Sequence, residues 1–509
     1  MTIGSFSVQA LPPPRPAVVD AAGALAALVH GRVSTRALDR LAYSRDMWPL
    51  ATWWFQQGRV PPPPDAVVWP GSDDEVAQVI RLARERRLAV IPFGAGSGLC
   101  GGTIATAGGL ALDLKRFDTI GPVDPQRRCV DVGAGVLGET LERRLAARGW
   151  TMGHLPSSLA MSTVGGWLAT RSAGLLSSRY GKLEDLVLSV RGVLGTGERF
   201  ETPERPFLGP DLAQLLMGSE GALCTFTSAR LRVHPRPEAR AFRAFDFQTV
   251  ERGLAAVRRV LREGLRPAAV HLADPSALAF HAQPLEARAR VAAAFLPALF
   301  TQVGTRLLSW PRLLGPLARL ATRCRLVFVF EGDPGHADAE DRAAAAACLS
   351  LGANDLGEGP ARAWFQERND AAFRHARVFR SGALIDTLEV SAPWEHVLDV
   401  YQRVRAVMGA LAVVLCEFGH ATADGCSLSF HFITAGGPRD EVEASAEQRW
   451  RAALGAATSA GANVSHHHGI GLVKRRAYQD ALGEGRHALA ALKRLFDPDG
   501  IMNPGKLGL

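Results

Sequence analysis

Three consecutive histidines are the residues whose type and spacing most directly suggest chemistry. His466, His467 and His468 stand inside the segment SHHHGIG, where two glycines follow them closely. Imidazole titrates near physiological pH, so such a side chain can take up the proton that a substrate releases while it gives up electrons. A solvated loop is the alternative interpretation. Whether these histidines are catalytic or merely solvated depends on whether the rest of the chain can bind a cofactor beside them.

Two segments rich in glycine and hydroxyl groups could hold an anionic cofactor. The first, IPFGAGSGLCGG, follows an apolar run that reads as a strand, and Gly94, Gly96 and Gly98 leave its backbone bare. Consecutive bare amides can face a pyrophosphate. The spacing differs from G-x-G-x-x-G, and a Walker loop is excluded because no Gly-Lys-Ser/Thr follows. Taken alone, a glycine turn without a ligand remains the alternative.

The second segment is HLPSSLAMSTVGGWLATRSAGLLSSRYG, at residues 154–181. Its hydroxyls and bare amides can satisfy phosphate, ribitol and ring-edge groups at short range. A third piece, GSEGALCTF at residues 218–226, adds Glu220 and Gly221 before a strand. Together the three pieces favour a bound dinucleotide.

Strands and helices alternate around these segments. Ala66–Pro70 and Leu88–Pro92 read as strands, and Ser72 can cap the helix SDDEVAQVIRLARERR between them, which has acids in its first turn and bases in its last. Residues 17–58 look helical, and the prolines of VPPPPD at 60–65 mark a boundary.

Later in the chain, Ala-, Leu- and Arg-rich helical stretches alternate with strands such as Arg325–Phe330 and Ser427–Ile433. The whole pattern predicts an α+β protein in four parts. These are an N-terminal arm and helical segment (1–60), a cofactor-binding domain (61–237), a cap domain for the substrate (238–440) and a C-terminal segment (441–509) that returns with the histidines.

Bulk composition excludes several functional classes. The net charge of +8 is mild for 509 residues, and without a basic aromatic stripe or zinc-finger spacing it does not indicate nucleic-acid binding. Seven scattered cysteines without C-x-x-C are typical of a reduced, cytoplasmic protein. Neither a signal peptide nor an apolar run of membrane-spanning length is expected.

The motifs together resemble the vanillyl-alcohol-oxidase-type flavoproteins, also called the PCMH-type fold, and within them the alkylglycerone-phosphate synthases and their bacterial relatives. The resemblance rests on PDAVVWP, PFGAGSG, the long second segment continued through KLEDLVL, GSEGAL, DTLEVSAPW and SHHHGIG, and it covers residues 61–509. It implies a PCMH-type FAD-binding domain of two α/β subdomains plus an α+β cap. It also places the histidine triplet at the active site, with acid/base work near flavin N5.

The resemblance implies FAD as cofactor, with the pyrophosphate on the first glycine segment. The candidate cofactor residues are Pro92, Phe93, Gly94, Ala95, Gly96, Ser97, Gly98, His154, Pro156, Ser157, Ser158, Ser162, Thr163, Gly165, Gly166, Thr170, Arg171, Ser172, Ala173, Tyr180, Glu220, Gly221 and Leu223. Some relatives attach FAD through a histidine in the first segment. Because residues 92–98 contain neither His nor Cys, we expect non-covalent FAD.

The substrate end departs from the synthase pattern. His271 stands where the motif PASxRL has arginine, His375 where PYLRD has arginine, and Ser429 where a strand motif has tyrosine. Arginine offers a permanent bidentate fork to phosphate, which histidine lacks. Arg374 and Arg377 lie beside His375 and could hold an anionic group, and strand alternation puts His431 on the face of Ser429. These changes indicate an altered substrate, although ordinary polar roles remain open for His271 and His375.

Two further features remain open. GHATADGCSLSFHF carries His420 and His431 where related 2-hydroxy-acid dehydrogenases have a metal-linked GDGN motif, but the motif is absent, and we expect no metal. Residues 295–323 are apolar with scattered arginines and without acids. This stretch suits a cap helix, a lid over a hydrophobic substrate or a peripheral contact with lipid.

The sequence thus predicts an FAD-dependent enzyme acting on a hydrophobic or anionic small molecule. The reaction is either oxidation by hydride transfer or the redox-neutral exchange of the synthases. An FAD-linked oxidase or dehydrogenase of a 2-hydroxy acid or alcohol is one alternative, and a flavin-binding protein without catalysis is another. The candidate catalytic residues are His271, Arg374, His375, Arg377, Ser429, His431, His466, His467 and His468. A homodimer stays open.

Overall fold

The computed structural model describes residues 11–205, 208–281, 323–369, 378–379 and 382–509. The described parts of the chain form two compact units. The first comprises Met1–Ala173, Gly181–Arg236 and His467–Leu509, and the second comprises Gly174–Tyr180 and Pro237–His466. The boundary between the two units therefore falls inside the histidine triplet.

The elements up to residue 236 belong to the first unit, apart from α7, which belongs to the second. In chain order they are α1 (Pro16–Leu28), β1 (Val33–Ser34), α2 (Ala37–Ala42), α3 (Pro49–Gln56), β2 (Ala66–Val68), α4 (Asp73–Glu85), β3 (Val90–Phe93), β4 (Leu110–Asp113), β5 (Cys129–Gly133), α5 (Gly138–Ala146), β6 (Trp150–Thr151), α6 (Val164–Thr170), α7 (Ser177–Tyr180), α8 (Leu183–Leu186), β7 (Val187–Leu194), β8 (Arg199–Glu201), α9 (Leu212–Leu216), β9 (Cys224–Arg232) and β10 (His234–Pro235).

The remaining elements form the second unit, except for the last two helices, which belong to the first. They are β11 (Ala239–Phe247), α10 (Val250–Arg262), β12 (Ala269–Ala273), α11 (Pro275–His281), β13 (Cys324–Gly332), α12 (Pro334–Ser350), β14 (Asn354–Gly357), α13 (Gly359–Gln366), β15 (Ala383–Pro393), α14 (Val397–Met408), β16 (Val413–Gly419), β17 (Gly425–Ala435), α15 (Arg439–Ser459), α16 (Arg475–Leu482) and α17 (Gly485–Phe496).

A small, mostly parallel sheet carries the first glycine segment. Strands β2, β4 and β3 pair in parallel, and β1 pairs antiparallel with β2. The α4 prediction is confirmed: Ser72 Oγ accepts a hydrogen bond from the Glu75 amide at 3.2 Å, and the buried face of α4 includes Val76, Val79 and Ile80. This face packs in a core shared with β2, β3 and β4, which fixes the strand end from which the segment starts.

The N-terminal segment is less uniformly helical than its composition predicts. Residues 17–58 form three helices and the strand β1, which pairs with β2. His30 and Gly31 adopt positive φ angles of 51° and 78° after α1. Left-handed backbone cannot continue an α-helix, so the chain turns there and becomes extended. The prediction that residues 17–58 are helical is therefore confirmed for α1, α2 and α3, but not for β1 or for the turns between these elements.

A second sheet of the first unit is antiparallel, in the order β5-β9-β7-β8. The C-terminus is bound to β3, because the Val90 amide donates to Ile501 O and the Asn503 amide donates to Val90 O, both at 2.8 Å. Residues far apart in sequence, including the end of the chain, thus meet beside the first glycine segment.

The second unit is built on a seven-stranded antiparallel sheet in the order β14-β11-β13-β12-β16-β17-β15. Helices α10, α12, α14 and α15 all contact this sheet. Their partners include Leu272, Arg243, Phe418 and Asp386, which share one face of the sheet. By strand alternation, the neighbouring residues His271, Glu417, Ser429, His431 and Glu389 share the opposite face.

All seven cysteines are buried and none forms a disulfide. None of the described helices combines the length and apolar composition needed to cross a bilayer. Most of the arginine-bearing apolar stretch at 295–323 lies outside the described residues.

Candidate active site

The first glycine segment follows β3 directly and carries backbone amides that can face a ligand. Among the described residues, the amides of Ala95–Gly98 have no hydrogen-bond acceptor. Gly96 has a φ of 67°, and a Cβ there would lie 2.8 Å from the Phe93 ring. A Cβ on Gly94 would collide with Thr163 Oγ1. Glycine is therefore required at both positions, and the free amides suit an anion.

The other two cofactor segments meet the first. Thr163 of the second segment touches the Gly94 position, and a Cβ on Gly221 of the third would lie 3.0 Å from the Pro92 ring. Gly221 itself has a φ of 76°. The three segments that the sequence nominates separately thus converge within the first unit at the end of β3.

Lys115 brings a positive charge to the end of β3, where the three segments converge. It follows β4, and its Nζ donates to Gly94 O at 2.9 Å and lies 2.6 Å from Asp113 Oδ2. Ligands of open α/β sheets bind at the carboxyl ends of strands, where Lys115 stands. The sequence reading missed this residue, although its position after an apolar strand was a usable signal.

Residues 46–48 of the N-terminal segment pack beside the first glycine segment. The Met47 amide donates to Gly98 O at 2.9 Å, and Asp46 Oδ1 accepts from the Trp48 amide at 3.0 Å. Burial raises the pKa of Asp46 to about 6, despite bonds from the Trp48 and Thr103 amides and the nearby charge of Lys506. Asp46 and Met47, which lie in the part predicted as an N-terminal arm and helical segment, thus pack beside the first glycine segment.

Several hydroxyls of the second segment form hydrogen bonds with other groups of the same segment. Ser162 Oγ donates to Ser158 O at 2.9 Å and accepts from Trp167 Nε1 at 2.8 Å. Thr163 caps α6 by accepting from the Gly166 amide at 3.3 Å, and Thr170 Oγ1 donates to Gly166 O at 3.1 Å. These side chains fix the shape of the segment.

His154 is a fully buried imidazole. Neither ring nitrogen has a hydrogen-bond partner among the described residues. The ring meets Trp167 edge-on at 4.7 Å between centroids. Burial lowers the pKa of His154 to about 3, with smaller contributions from the charges of His467 and Lys182. This histidine is therefore neutral at physiological pH.

The remaining cofactor candidates of the first unit occupy varied environments. Arg171 bonds Gln214 Oε1 at 2.8 Å and Met217 O at 3.2 Å. Pro156, Ser172, Ala173 and Leu223 are buried, Phe93 is buried beside the segment, Ala95, Ser97 and Gly165 are half-buried, and Ser157 is exposed.

Glu220 anchors the loop that follows the histidines. Its Oε2 accepts from the Gly471 amide at 2.7 Å, and Oε1 accepts from the Ile470 amide. Asn503 Nδ2 in turn donates to Glu220 O at 2.6 Å and to Gly102 O at 2.9 Å. Burial raises the pKa of the Glu220 carboxyl, against the lowering effect of the two amides and of Lys506 and Lys474. Glu220 thus ties the third segment to the histidine loop.

The histidines fall in both units. In the first unit the rings of His467 and His468 meet edge-on, with centroids 4.6 Å apart. In the second unit the His466 amide donates to the fully buried Glu389 carboxylate at 3.1 and 3.2 Å, and Ser465 Oγ donates to it at 3.3 Å. The His420 ring lies 5.5 Å from that of His466, and its Nδ1 is 2.9 Å from Ser177 Oγ.

The sheet of the second unit brings three more candidates together around Glu417. His271 Nε2 lies 3.6 Å from Glu417 Oε1, and His431 Nε2 lies 3.6 Å from Glu417 Oε2. Ser429 pairs directly with Glu417 across β16 and β17. Ser429 and His431 share one face, as strand alternation predicts.

Four candidates remain. Arg374, His375 and Arg377 lie outside the described residues. Tyr180 lies in the second unit, where its hydroxyl donates to Glu331 Oε2 at 2.6 Å. Burial and the Glu331 charge raise the pKa of this hydroxyl.

Sequence reading missed Glu389 and Glu417. Each is an acidic residue within an apolar strand, and a buried charge needs partners. That rule was the available signal, but it could not identify the partners, which are strand residues for Glu417 and the loop residues Ser465 and His466 for Glu389.

The first unit thus brings bare amides and a lysine together where they can bind an anion, and this arrangement defines a dinucleotide-binding site. The free amides, the two obligatory glycines and Lys115 fit the pyrophosphate of FAD. The comparisons with known proteins agree. Residues 64–203 match the model of the FAD binding domain, and residues 236–507 match that of the C-terminal domain of FAD linked oxidases. The chain belongs to the FAD-linked oxidases, and FAD is its cofactor.

Its relatives include enzymes of two kinds. Alkyldihydroxyacetonephosphate synthase of Trypanosoma brucei brucei is 28% identical over 481 residues, which cover 91% of this chain and 75% of that protein. Glycolate oxidase subunit GlcD of Bacillus subtilis is 27% identical over 478 residues, 92% of each chain. A solved alkyldihydroxyacetonephosphate synthase superposes with a TM-score of 0.78 at 22% identity, covering 98% of this chain and 88% of the other, which confirms the fold. The chain is thus an FAD-dependent enzyme of a family with synthase and oxidase members.

Proposed function

We propose that this chain oxidises a hydroxyl-bearing small molecule, and that its substrate differs from the phosphate ester of the synthases. The observation that carries the proposal is the carboxylate of Glu417 between His271 and His431, on the sheet face that holds the substrate-end candidates. A carboxylate accepts a hydrogen bond from a hydroxyl, and His271 lacks the permanent bidentate fork that arginine offers to phosphate.

FAD, when bound, supplies the acceptor for the hydride that leaves the carbon bearing the hydroxyl. The protein must then take the hydroxyl proton, and His467 and His468 are our candidates for this role. Glu220 accepts hydrogen bonds from the Ile470 and Gly471 amides, so the backbone is anchored just after the two histidines. Pre-positioning of this kind favours proton transfer.

Anaerobic mixing with an alcohol panel and with glycolate and D-lactate tests the proposal. We expect at least one compound to bleach the flavin absorbance, and the variant His467→Ala/His468→Ala to slow that reduction about a hundredfold or more. His487→Ala, which alters an exposed histidine of the same unit, is the matched control. If no compound reduces the flavin, oxidation is wrong.

The redox-neutral exchange is the second candidate, favoured by the similarity to the trypanosomal synthase over 91% of this chain. Turnover of an acyl glycerone phosphate with a fatty alcohol, without net flavin reduction, would support it. Full retention of activity in the double histidine variant would show that catalysis does not depend on His467 and His468. A flavin-binding role without catalysis would be favoured if the wild-type holoenzyme turned over no compound in either assay.

A further inference from the structure

The carboxyl group of Asp46 offers a hydrogen-bonding atom beside the first glycine segment. Asp46 is only 2% exposed. Its Oδ1 accepts from the Trp48 amide, whereas its Oδ2 has no hydrogen-bond partner among the described residues. A Cβ built on Gly98 would lie 3.5 Å from this Oδ2, and the Met47 amide donates to Gly98 O. The second carboxyl oxygen is therefore held against the segment whose amides suit an anion.

Two more buried polar atoms near this carboxyl lack partners within the described part of the chain. They are Thr103 Oγ1 and Asn503 Oδ1. Thr103 donates its amide to Asp46, and Asn503 Nδ2 donates to the neighbouring Gly102 O at 2.9 Å. Native proteins pair almost all of their buried polar atoms. Three such atoms around one turn indicate that a polar ligand completes their hydrogen bonds.

The charge of the Asp46 carboxyl decides which groups of a ligand it can receive. Burial raises the pKa of Asp46 to about 6, so the carboxyl is mostly ionised at about pH 7.5, and the nearby charge of Lys506 favours this form. An ionised carboxylate only accepts hydrogen bonds. The oxygens of a pyrophosphate also only accept, so they are no partners for Asp46. The hydroxyls of the ribitol and of the ribose, which flank the pyrophosphate in FAD, can donate.

We infer that Asp46 is a cofactor-specificity residue, whose Oδ2 accepts a hydrogen bond from a sugar-alcohol hydroxyl of FAD. Residues 46–48 lie outside the span 64–203 that matches the FAD binding domain model, so the N-terminal segment adds a cofactor contact of its own. All the groups involved belong to the first unit. The inference does not depend on the proposed oxidation, because it concerns binding of the cofactor alone.

A cycle of protein variants and FAD analogues tests the inference. Apoprotein of the wild type and of Asp46→Ala is titrated at about pH 7.5 with FAD and with analogues that each lack one hydroxyl of the ribitol or of the ribose. Flavin fluorescence gives each Kd. We expect Asp46→Ala to bind FAD about tenfold more weakly than the wild type, as for loss of a hydrogen bond to a charged acceptor.

The analogues then locate the hydroxyl. We expect one analogue to bind the wild type about tenfold more weakly than FAD does, whereas Asp46→Ala binds this analogue and FAD equally. The analogue that behaves in this way identifies the ribitol or the ribose as the partner of Asp46.

Asp124→Ala is the matched control, because Asp124 Oδ1 also accepts from the amide two residues further on, at 2.9 Å, but in the turn before β5. Asp46→Asn keeps an oxygen for the Trp48 amide and puts an NH₂ group in place of Oδ2, so it provides the same cycle if Asp46→Ala does not fold. Thermal melting shows which variants are folded.

The inference is overturned if the folded Asp46 variant binds FAD at least as tightly as the wild type. It is also overturned if every analogue loses the same factor in the wild type and in the variant, because the hydroxyls would then be bound by other groups. Failure of the wild type to bind FAD would defeat the cofactor assignment and this inference with it, whereas normal FAD binding without flavin reduction by any compound would defeat only the proposed oxidation.

Discussion

The carboxylate of Glu220 and the amide of Gly471 lie 2.7 Å apart, although 251 residues separate them in the chain. The same carboxylate also accepts from the Ile470 amide, next to the histidine triplet. This contact joins the third cofactor segment to the loop of His467 and His468. The relative placement of these two segments therefore depends on one buried side chain.

Glu220→Gln should therefore loosen the histidine loop. The amide keeps one acceptor oxygen but turns an NH₂ group toward a backbone N–H, so we expect a loss of about 1–3 kcal/mol in the free energy of unfolding. Urea denaturation measures it, with the exposed Glu198→Gln as control. Equal stability of the two variants would show that the paired amides do not depend on the carboxylate.

Gly94→Ala should impair FAD binding. The added Cβ meets Thr163 Oγ1 and forces the first and second segments apart, and we expect at least a roughly tenfold rise in the Kd for FAD. Gly23→Ala in α1 is the control, since nothing lies within 4 Å of a Cβ there. Fluorescence titration with FAD gives both values, and an unchanged Kd in Gly94→Ala would separate the segment from the cofactor.

Lys115→Ala should weaken FAD binding by about threefold to tenfold and reduce its salt dependence. The Lys115 ammonium donates a hydrogen bond to Gly94 O and adds a positive charge where we expect the pyrophosphate. Arg116→Ala, at the next position, serves as control. An identical Kd for wild type and Lys115→Ala at low salt would remove Lys115 from the site.

The pH dependence of stability should carry a signature of His154. Its pKa is about 3 in the folded state and near 6.5 in the unfolded state. Between these values the unfolded chain binds one more proton, so this histidine makes stability rise with pH, by at most about 1.4 kcal/mol per pH unit, and level off above the unfolded pKa. His154→Phe should show a shallower slope between about pH 5 and pH 6.5 in urea denaturation. Parallel slopes would mean that His154 is protonated in the folded protein.

FAD should be released by acid. Because residues 92–98 contain neither His nor Cys, acid precipitation of the holoenzyme is expected to leave a colourless pellet and a yellow supernatant. Yellow colour that stays in a washed pellet would establish a covalent link elsewhere.

Local signals in the sequence identified much of this architecture. The cap at Ser72 and the apolar face of α4 are short-range features, and both are confirmed. The strand predictions at Arg325–Phe330 and Ser427–Ile433 correspond to β13 and β17, which extend further at both ends. Strand ends depend on pairing with neighbours, which local composition does not encode.

Long-range contacts were the part that sequence could not supply. His271 and Glu417 are brought together by the pairing of β12 with β16, across 146 residues. No spacing rule links such positions, and only the known family motifs pointed to His271. Similarly, Met47 and Lys115 contact the glycine segment through tertiary packing between segments that are separate in the sequence.

A titration of the purified apoprotein with FAD, followed by flavin and tryptophan fluorescence, tests the central claim most directly. The claim is that three converging segments cradle this dinucleotide beside the histidine loop. We expect saturable binding of one FAD per chain, weakened at least about tenfold by Gly94→Ala. Folded protein that stays colourless and gives no fluorescence change at any FAD concentration would contradict it.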